Sequence, residues 1–175
     1  KLFVIPNIFS TGGSFAITKP KKYYSLAGPY FNKKIKTPEF TPQKVWFNSI
    51  HEFCHSAFKD SLVETNNFKN YLEISEAKFK PIKNDIPKKV LQTYNTGYAY
   101  FEDTFVRACR IKILESYYKR TDSNLNIESF VKNSIRKQEN KNGFKFVGEF
   151  FDILTSEENI PPADIYIKVL KDLKS

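Results

Sequence analysis

The chain has 175 residues, of which 41% are hydrophobic and 16% aromatic, so it can bury one sizeable core, and this excludes a mainly disordered protein. No stretch approaches the roughly 18 uninterrupted apolar residues of a membrane helix, so no membrane span is expected. The net charge of +9 comes mainly from lysines that are spread along the chain. Without arginine clusters or a recognisable motif, this charge does not predict a nucleic-acid partner.

The first 40 residues have the pattern of short strands and turns. Short apolar and aromatic runs are separated by the pairs Gly12-Gly13 and Gly28-Pro29. The predicted strands cover 1–8, 14–18 and 23–26. Because the spacing of apolar residues becomes helical after this part, the sequence predicts an α+β fold in a single domain. This domain covers 1–175, with a β-rich part at 1–40 and a helical part at 41–175.

A helix is predicted to begin after Thr41, which is a good N-cap, with Pro42 in the first turn. Apolar residues recur at helical spacing through the stretch SIHEFCHSAF at 49–58, so this stretch is expected to lie on the helix. Further helices are predicted at 68–77, from about 87, and at 98–119, 126–138, 145–154 and 162–173, with an extended segment about Pro81.

Both histidines of the chain lie in this stretch, four residues apart. On a helix, His51 and His55 stand on one face and can direct two imidazole nitrogens at a single metal ion. Glu52, which follows the first histidine, is placed to reach a water at the metal rather than to bind the metal. The pattern His-Glu-x-x-His is typical of zinc hydrolases in which the glutamate is the general base.

A catalytic zinc site needs a third protein ligand, and no histidine remains to supply it. Glu102 has apolar neighbours at helical spacing, and a metal would offset the cost of burying its charge. Asp103 precedes Arg107 by four residues and is interpreted as half of a surface ion pair. Glu73 and Glu76 lie in a lysine-rich segment that is expected to be solvated. We therefore prefer Glu102 as the third ligand, with Glu76, Glu73 and Asp103 as alternatives.

The segment His51-Glu52-Phe53-Cys54-His55-Ser56 and the later segment Glu102-Asp103-Thr104-Phe105-Val106-Arg107-Ala108 resemble a bacterial family of unknown function that has been regarded as zinc metallopeptidases. The likeness covers roughly 41–175 and includes the stretch Gly143-Phe144-Lys145-Phe146. It implies a zincin-like fold and a gluzincin-like site with a downstream acidic ligand. It also implies the C-terminal part of a longer precursor, exported or periplasmic with its signal removed, with a cytoplasmic location as the alternative.

These observations predict a zinc-dependent metallopeptidase that hydrolyses peptide bonds of a peptide or protein substrate. His51, His55 and Glu102 are expected to hold Zn²⁺, and Glu52 is expected to take a proton from the attacking water. The alternative from another class is a non-catalytic binding module in which zinc is structural or absent. The oligomeric state is not predicted.

Two further side chains are candidates for stabilising the oxyanion of the transition state. Tyr98 lies one turn before Glu102 on the predicted helix, and Arg107 lies a little over one turn beyond it. An alternative role for Arg107 is to orient a carboxylate ligand or to pair with Asp103.

Overall fold

A computed structural model of the protein describes residues 2–6, 14–19, 22–27, 30–32, 37–39, 42–64, 68–122, 124–157 and 160–173. Side chains are described chiefly from Val45 onward. By its internal contacts the chain divides into two compact units, Lys1–Lys59 and Asp60–Ser175.

The N-terminal unit begins with short strands. They are β1 (Leu2–Pro6), β2 (Ser14–Lys19), β3 (Lys22–Ala27), β4 (Tyr30–Asn32) and β5 (Thr37–Glu39). Strand β3 is central in a three-stranded arrangement, parallel to β1 and antiparallel to β2, and β4 pairs antiparallel with β5. The turns predicted at Gly12-Gly13 and Gly28-Pro29 lie outside the described residues.

The predicted α+β, zincin-like fold class is wrong. From Val45 onward the described residues are predominantly helical and none forms a strand, so this part of the chain is an all-α structure and not the helical part of an α+β fold. The prediction gave too much weight to the strand pattern of the first 40 residues. The buried apolar side chains of the described residues begin at Ile50, and nearly all of them lie on helices.

Helix α1 (Pro42–Glu64) carries the SIHEFCHSAF stretch, which confirms that both histidines lie on a helix. Its buried apolar residues Ile50, Cys54 and Phe58 are spaced by four, so they form a stripe along one face. Within the N-terminal unit, the hydroxyl of Ser25 on β3 donates a hydrogen bond to that of Ser49, at 3.3 Å, and both side chains are buried.

The second unit is built around one central helix, α4 (Gly97–Thr121). Seven consecutive side chains, 100–106, are buried because α4 packs against three other helices. The remaining helices of this unit are α2 (Phe68–Ile82), α3 (Lys88–Leu91), α5 (Ile127–Arg136), α6 (Val147–Ser156) and α7 (Pro162–Asp172). Among the described residues, no helix combines the length and the apolar character that crossing a membrane requires.

The helices agree with the predicted ones except in two places. Helix α2 continues through Pro81, where an extended segment was expected. Because proline lacks the amide donor that an α-helix needs, the helix ends one residue later, at Ile82, and a 3₁₀ turn (Lys83–Asp85) follows. Helix α5 begins after the predicted N-cap Asn126, whose side chain accepts from the amide of Ser129, and it continues as a π-helical turn at Lys137–Lys141.

The start of α4 lies very close to α2. The amide of Gly97 donates to a carboxylate oxygen of Glu76 at 2.6 Å, and a Cβ atom at position 97 would lie 2.3 Å from the backbone oxygen of Ser75. Thr96 caps the helix by accepting from the amide of Ala99. The close packing of α2 on α4 therefore requires glycine at position 97.

Gly97→Ala is expected to lower the free energy of unfolding by about 1–3 kcal/mol, because the new methyl group meets backbone that cannot move aside cheaply. The matched control is Gly148→Ala in α6, where a Cβ would meet only the ends of the Glu139 and Ile135 side chains, at 3.3 and 3.5 Å. The control should be neutral or stabilise by up to about 1 kcal/mol, since alanine favours helix. Urea unfolding followed by circular dichroism measures both; equal stability of the two variants would contradict the close approach.

Candidate metal centre

The two histidines of α1 converge on one point. Their Nε2 atoms are 3.3 Å apart, and their rings meet edge to face with an interplanar angle of 89°. Two nitrogens bound at about 2.0–2.1 Å to one tetrahedral zinc ion are themselves about 3.3–3.4 Å apart. His51 and His55 therefore already have the separation that a shared metal ion would impose. Both are half-buried, as is the intervening glutamate, Glu52.

One carboxylate joins this pair in a set of possible metal ligands. An imidazole nitrogen of His51, one of His55 and a carboxylate oxygen of Asp103 all lie within 4.8 Å of one another. Glu102, which the sequence analysis preferred as the third ligand, is not in the set. Two imidazoles and a carboxylate are a donor combination that suits zinc and leaves a coordination position for water.

The carboxylate of Asp103 is held by a buried ion pair within the second unit. The Nε atom of Arg107 lies 2.6 Å from Oδ2 of Asp103, and the two side chains are 15% and 3% exposed. The expected ion pair is thus present, but it is buried, whereas the sequence analysis placed it at the surface. A buried pair is insulated from solvent, so its geometry is firmly fixed.

Arg107 has two further contacts that hold its guanidinium group. Its Nη1 atom donates to Oε1 of Gln138 at 2.9 Å, and the guanidinium lies 3.8 Å above the centre of the Phe144 ring. Tyr94 lies beside both members of the ion pair. Burial, followed by the negative charge of Asp103, raises the pKa of Tyr94, so its hydroxyl stays protonated.

Glu102 lies next to Asp103 on α4 but in a different environment. Its carboxylate lies beside Tyr98, and burial, followed by the charge of this carboxylate, raises the pKa of that tyrosine. Burial chiefly raises the pKa of Tyr166 as well, with a smaller contribution from the charge of Glu102. The hydroxyl of Tyr166 lies 2.7 Å from Ser75 Oγ. Glu102 thus lies beside a half-buried tyrosine, while Asp103 lies beside an arginine.

The other two carboxylate alternatives have local partners on α2. Glu73 forms an exposed ion pair with Lys69 at 3.7 Å, and Glu76 accepts from the amide of Gly97 at the start of α4. Neither belongs to the set of ligand atoms that lies together.

Sequence reasoning did not find Tyr94, Gln138 and Phe144 as neighbours of the site. Of these, only Phe144 lies in a stretch that the family resemblance singled out. The glutamine carries no charge and no periodicity marks it, because its burial depends on the π-helical turn at Lys137–Lys141.

Comparison of the chain with protein-family models, with curated proteins and with solved structures finds no match. The resemblance of 51–56 and 102–108 to a bacterial metallopeptidase family therefore stays a prediction.

Arg107→Leu is expected to lower the free energy of unfolding of the metal-free protein by about 3–5 kcal/mol, because it leaves the charge of Asp103 buried without its partner. The control is Lys69→Leu, which removes the cation of the exposed pair with Glu73 and should change stability by less than about 0.5 kcal/mol. Denaturant unfolding in the presence of a chelator measures both variants. A loss in Arg107→Leu no larger than in the control would show that the buried pair is not held as described.

Proposed function

We propose that the protein is a zinc-dependent hydrolase of peptide bonds in which His51, His55 and Asp103 hold the metal. The observation that carries this proposal is the convergence of the two histidines: a nitrogen–nitrogen separation of 3.3 Å matches the edge of a zinc coordination tetrahedron. The clustering of these two side chains with the Asp103 carboxylate supports the choice of the third ligand.

The proposal takes Asp103 in place of Glu102 because the surroundings of the two carboxylates differ. Arg107 donates to Asp103, and a carboxylate ligand oriented by such a donor is the usual arrangement in metal sites. Glu102 instead lies beside Tyr98. Expected burial was the reason for preferring Glu102 from the sequence. It does not distinguish the two candidate ligands in the structure, since Glu102 is 7% exposed and Asp103 only 2%.

A zinc ion held by these side chains would supply a Lewis acid that polarises a carbonyl group and lowers the pKa of water toward about 7. Glu52 follows His51 on α1 and is half-buried, so its carboxylate can accept a proton close to the site while remaining accessible to solvent. This is the role of general base. Arg107 contributes by holding Asp103, and this contact favours the orienting role over direct stabilisation of an oxyanion.

The wild-type protein is expected to bind close to one equivalent of zinc, and His51→Ala and His55→Ala are expected to lose it. Glu52→Gln should retain the metal and lose at least about 100-fold in the rate of cleavage of an unstructured protein such as casein, because it removes the general base but no ligand. Zinc content after dialysis and cleavage rates measure the two effects. Stoichiometric zinc with no cleavage even in the wild type would favour the non-catalytic module, and full activity in Glu52→Gln would rule out the mechanism.

The choice of third ligand is tested by two neighbouring amide substitutions. Asp103→Asn is expected to weaken zinc binding by at least about 100-fold, since a neutral amide is a poor ligand for the ion. Glu102→Gln is expected to change it less than about threefold, because Glu102 is outside the set of ligand atoms that lie together. Competition with a chelator of known affinity measures both. The reverse order of the two effects would restore Glu102 as the ligand.

A further inference from the structure

The guanidinium group of Arg107 is fixed on three sides. Asp103 Oδ2 accepts from Nε, Gln138 Oε1 accepts from Nη1, and the Phe144 ring lies 3.8 Å beneath the cation. Because guanidinium is planar, two hydrogen bonds in its plane and one ring against its face leave it little freedom to rotate. The position of the Asp103 carboxylate therefore depends on groups outside α4.

Gln138 is a suitable anchor because it is neutral. Its side chain is 4% exposed, and its Oε1 atom accepts two hydrogen bonds, from Arg107 and from Asn142 Nδ2, each at 2.9 Å. An amide oxygen holds the guanidinium without neutralising it, so the full charge of the arginine remains available to Asp103. A carboxylate at position 138 would instead compete with Asp103 for the same cation.

The backbone that carries these two anchors is itself firmly held. Residues 137–141 form a π-helical turn, and the backbone oxygen of Gln138 accepts from the amide of Phe144 at 3.0 Å. The hydroxyl of Tyr100, on α4, donates to the oxygen of Gly143 at 3.1 Å and accepts from the amide of Lys145 at 2.8 Å. The anchors are thus tied back to the helix that carries Asp103. Isolated π-helical turns of this kind are frequent at functional sites.

We propose that Gln138 and Phe144 are positioning residues for the metal centre: they hold Arg107 on Oδ2 of Asp103 and so fix the orientation of the carboxylate that would bind the metal. This inference rests on the proposed function, since it needs Asp103 to bind zinc. It adds that the affinity for zinc is set in part by Gln138 and Phe144, two residues that are not themselves ligands.

The test is the zinc affinity of Gln138→Glu and Gln138→Leu, measured by chelator competition on the full chain. Each variant is expected to bind zinc about 10-fold to 100-fold more weakly than wild type, the range found when groups that orient a ligand are changed. Glu draws Arg107 away from Asp103, and Leu leaves Nη1 without its acceptor. Arg107→Lys, which keeps the charge but loses the planar fork, should fall in the same range.

The matched control is Asn142→Ala, which removes the other hydrogen bond to Gln138 Oε1 and leaves the contact with Arg107 in place. It should change zinc affinity less than about threefold, because the hydrogen bond that holds Arg107 on Gln138 Oε1 is kept. Thermal unfolding of the metal-free forms separates positioning from loss of structure, and the d–d absorption of bound Co²⁺ reports the ligand geometry, which a merely structural role would not alter.

Three results decide between the possibilities. Weaker zinc binding and an altered Co²⁺ spectrum in both Gln138 variants, with Asn142→Ala close to wild type, support the inference. Wild-type affinity in both Gln138 variants overturns it and leaves the proposed function intact, as does an equal loss in Asn142→Ala. If the wild type itself binds no zinc, the proposed function fails, and the inference fails with it. Gln138→Glu keeps a polar side chain and serves as the measurement if Gln138→Leu does not fold.

Discussion

The ion pair between Asp103 and Arg107 is the constraint on which the second unit depends most. Two opposite charges lie almost out of contact with solvent on a helix whose neighbouring side chains are also buried. Burying a single charge costs several kcal/mol, and a close ion pair offsets that cost only when its remaining hydrogen-bonding groups are also satisfied. Gln138 accepts a hydrogen bond from Arg107, and the Phe144 ring packs against its guanidinium group. The ion pair therefore constrains how the 137–144 segment packs.

This requirement gives a physical reason for the irregular backbone between α5 and α6. A regular α-helix through 137–141 would turn its side chains by a different angle about the helix axis. The π-helical turn brings the side chain of Gln138 into the interior. The preceding helix, α5, carries no buried residue. Gly143, with φ of 76°, and Phe146, with φ of 71°, are in the left-handed region on either side of Phe144 and Lys145. For a non-glycine residue such as Phe146 this conformation is unfavourable, so the packing around it must outweigh the strain.

The helices of the second unit could be predicted largely from the sequence because their signals are local. Asn126 caps α5 as predicted, and the apolar periodicity gives the extent of α4 within two residues at each end. The fold class could not be predicted in the same way. Whether short strands or helices dominate a fold depends on which elements supply the core, and the alternating pattern of the first 40 residues does not contain that information.

The convergence of the two histidines was predictable because helical geometry alone brings residues i and i+4 together. The carboxylate that lies with them could not be chosen from the sequence, because it is about fifty residues away and the argument for Glu102 used burial on one face of α4. That argument assumes a helix with one solvent-exposed face and one buried face. Side chains 100–106 are all buried, so α4 has no solvent-exposed face in this region. Neighbouring residues here differ in the charged and polar groups that surround them and not in their exposure.

Glu102 and Asp103 illustrate how neighbouring buried residues of α4 can have different chemical surroundings. Adjacent residues on a helix point about 100° apart, so one carboxylate meets Tyr98 and the other meets Arg107. A tyrosine hydroxyl carries no charge, and burial, followed by the charge of Glu102, raises the pKa of Tyr98, so this hydroxyl stays neutral. An arginine neutralises Asp103 and fixes one of its oxygens. A carboxylate that is oriented in this way can approach a divalent cation in a defined geometry, which makes Asp103 the better candidate for the third ligand.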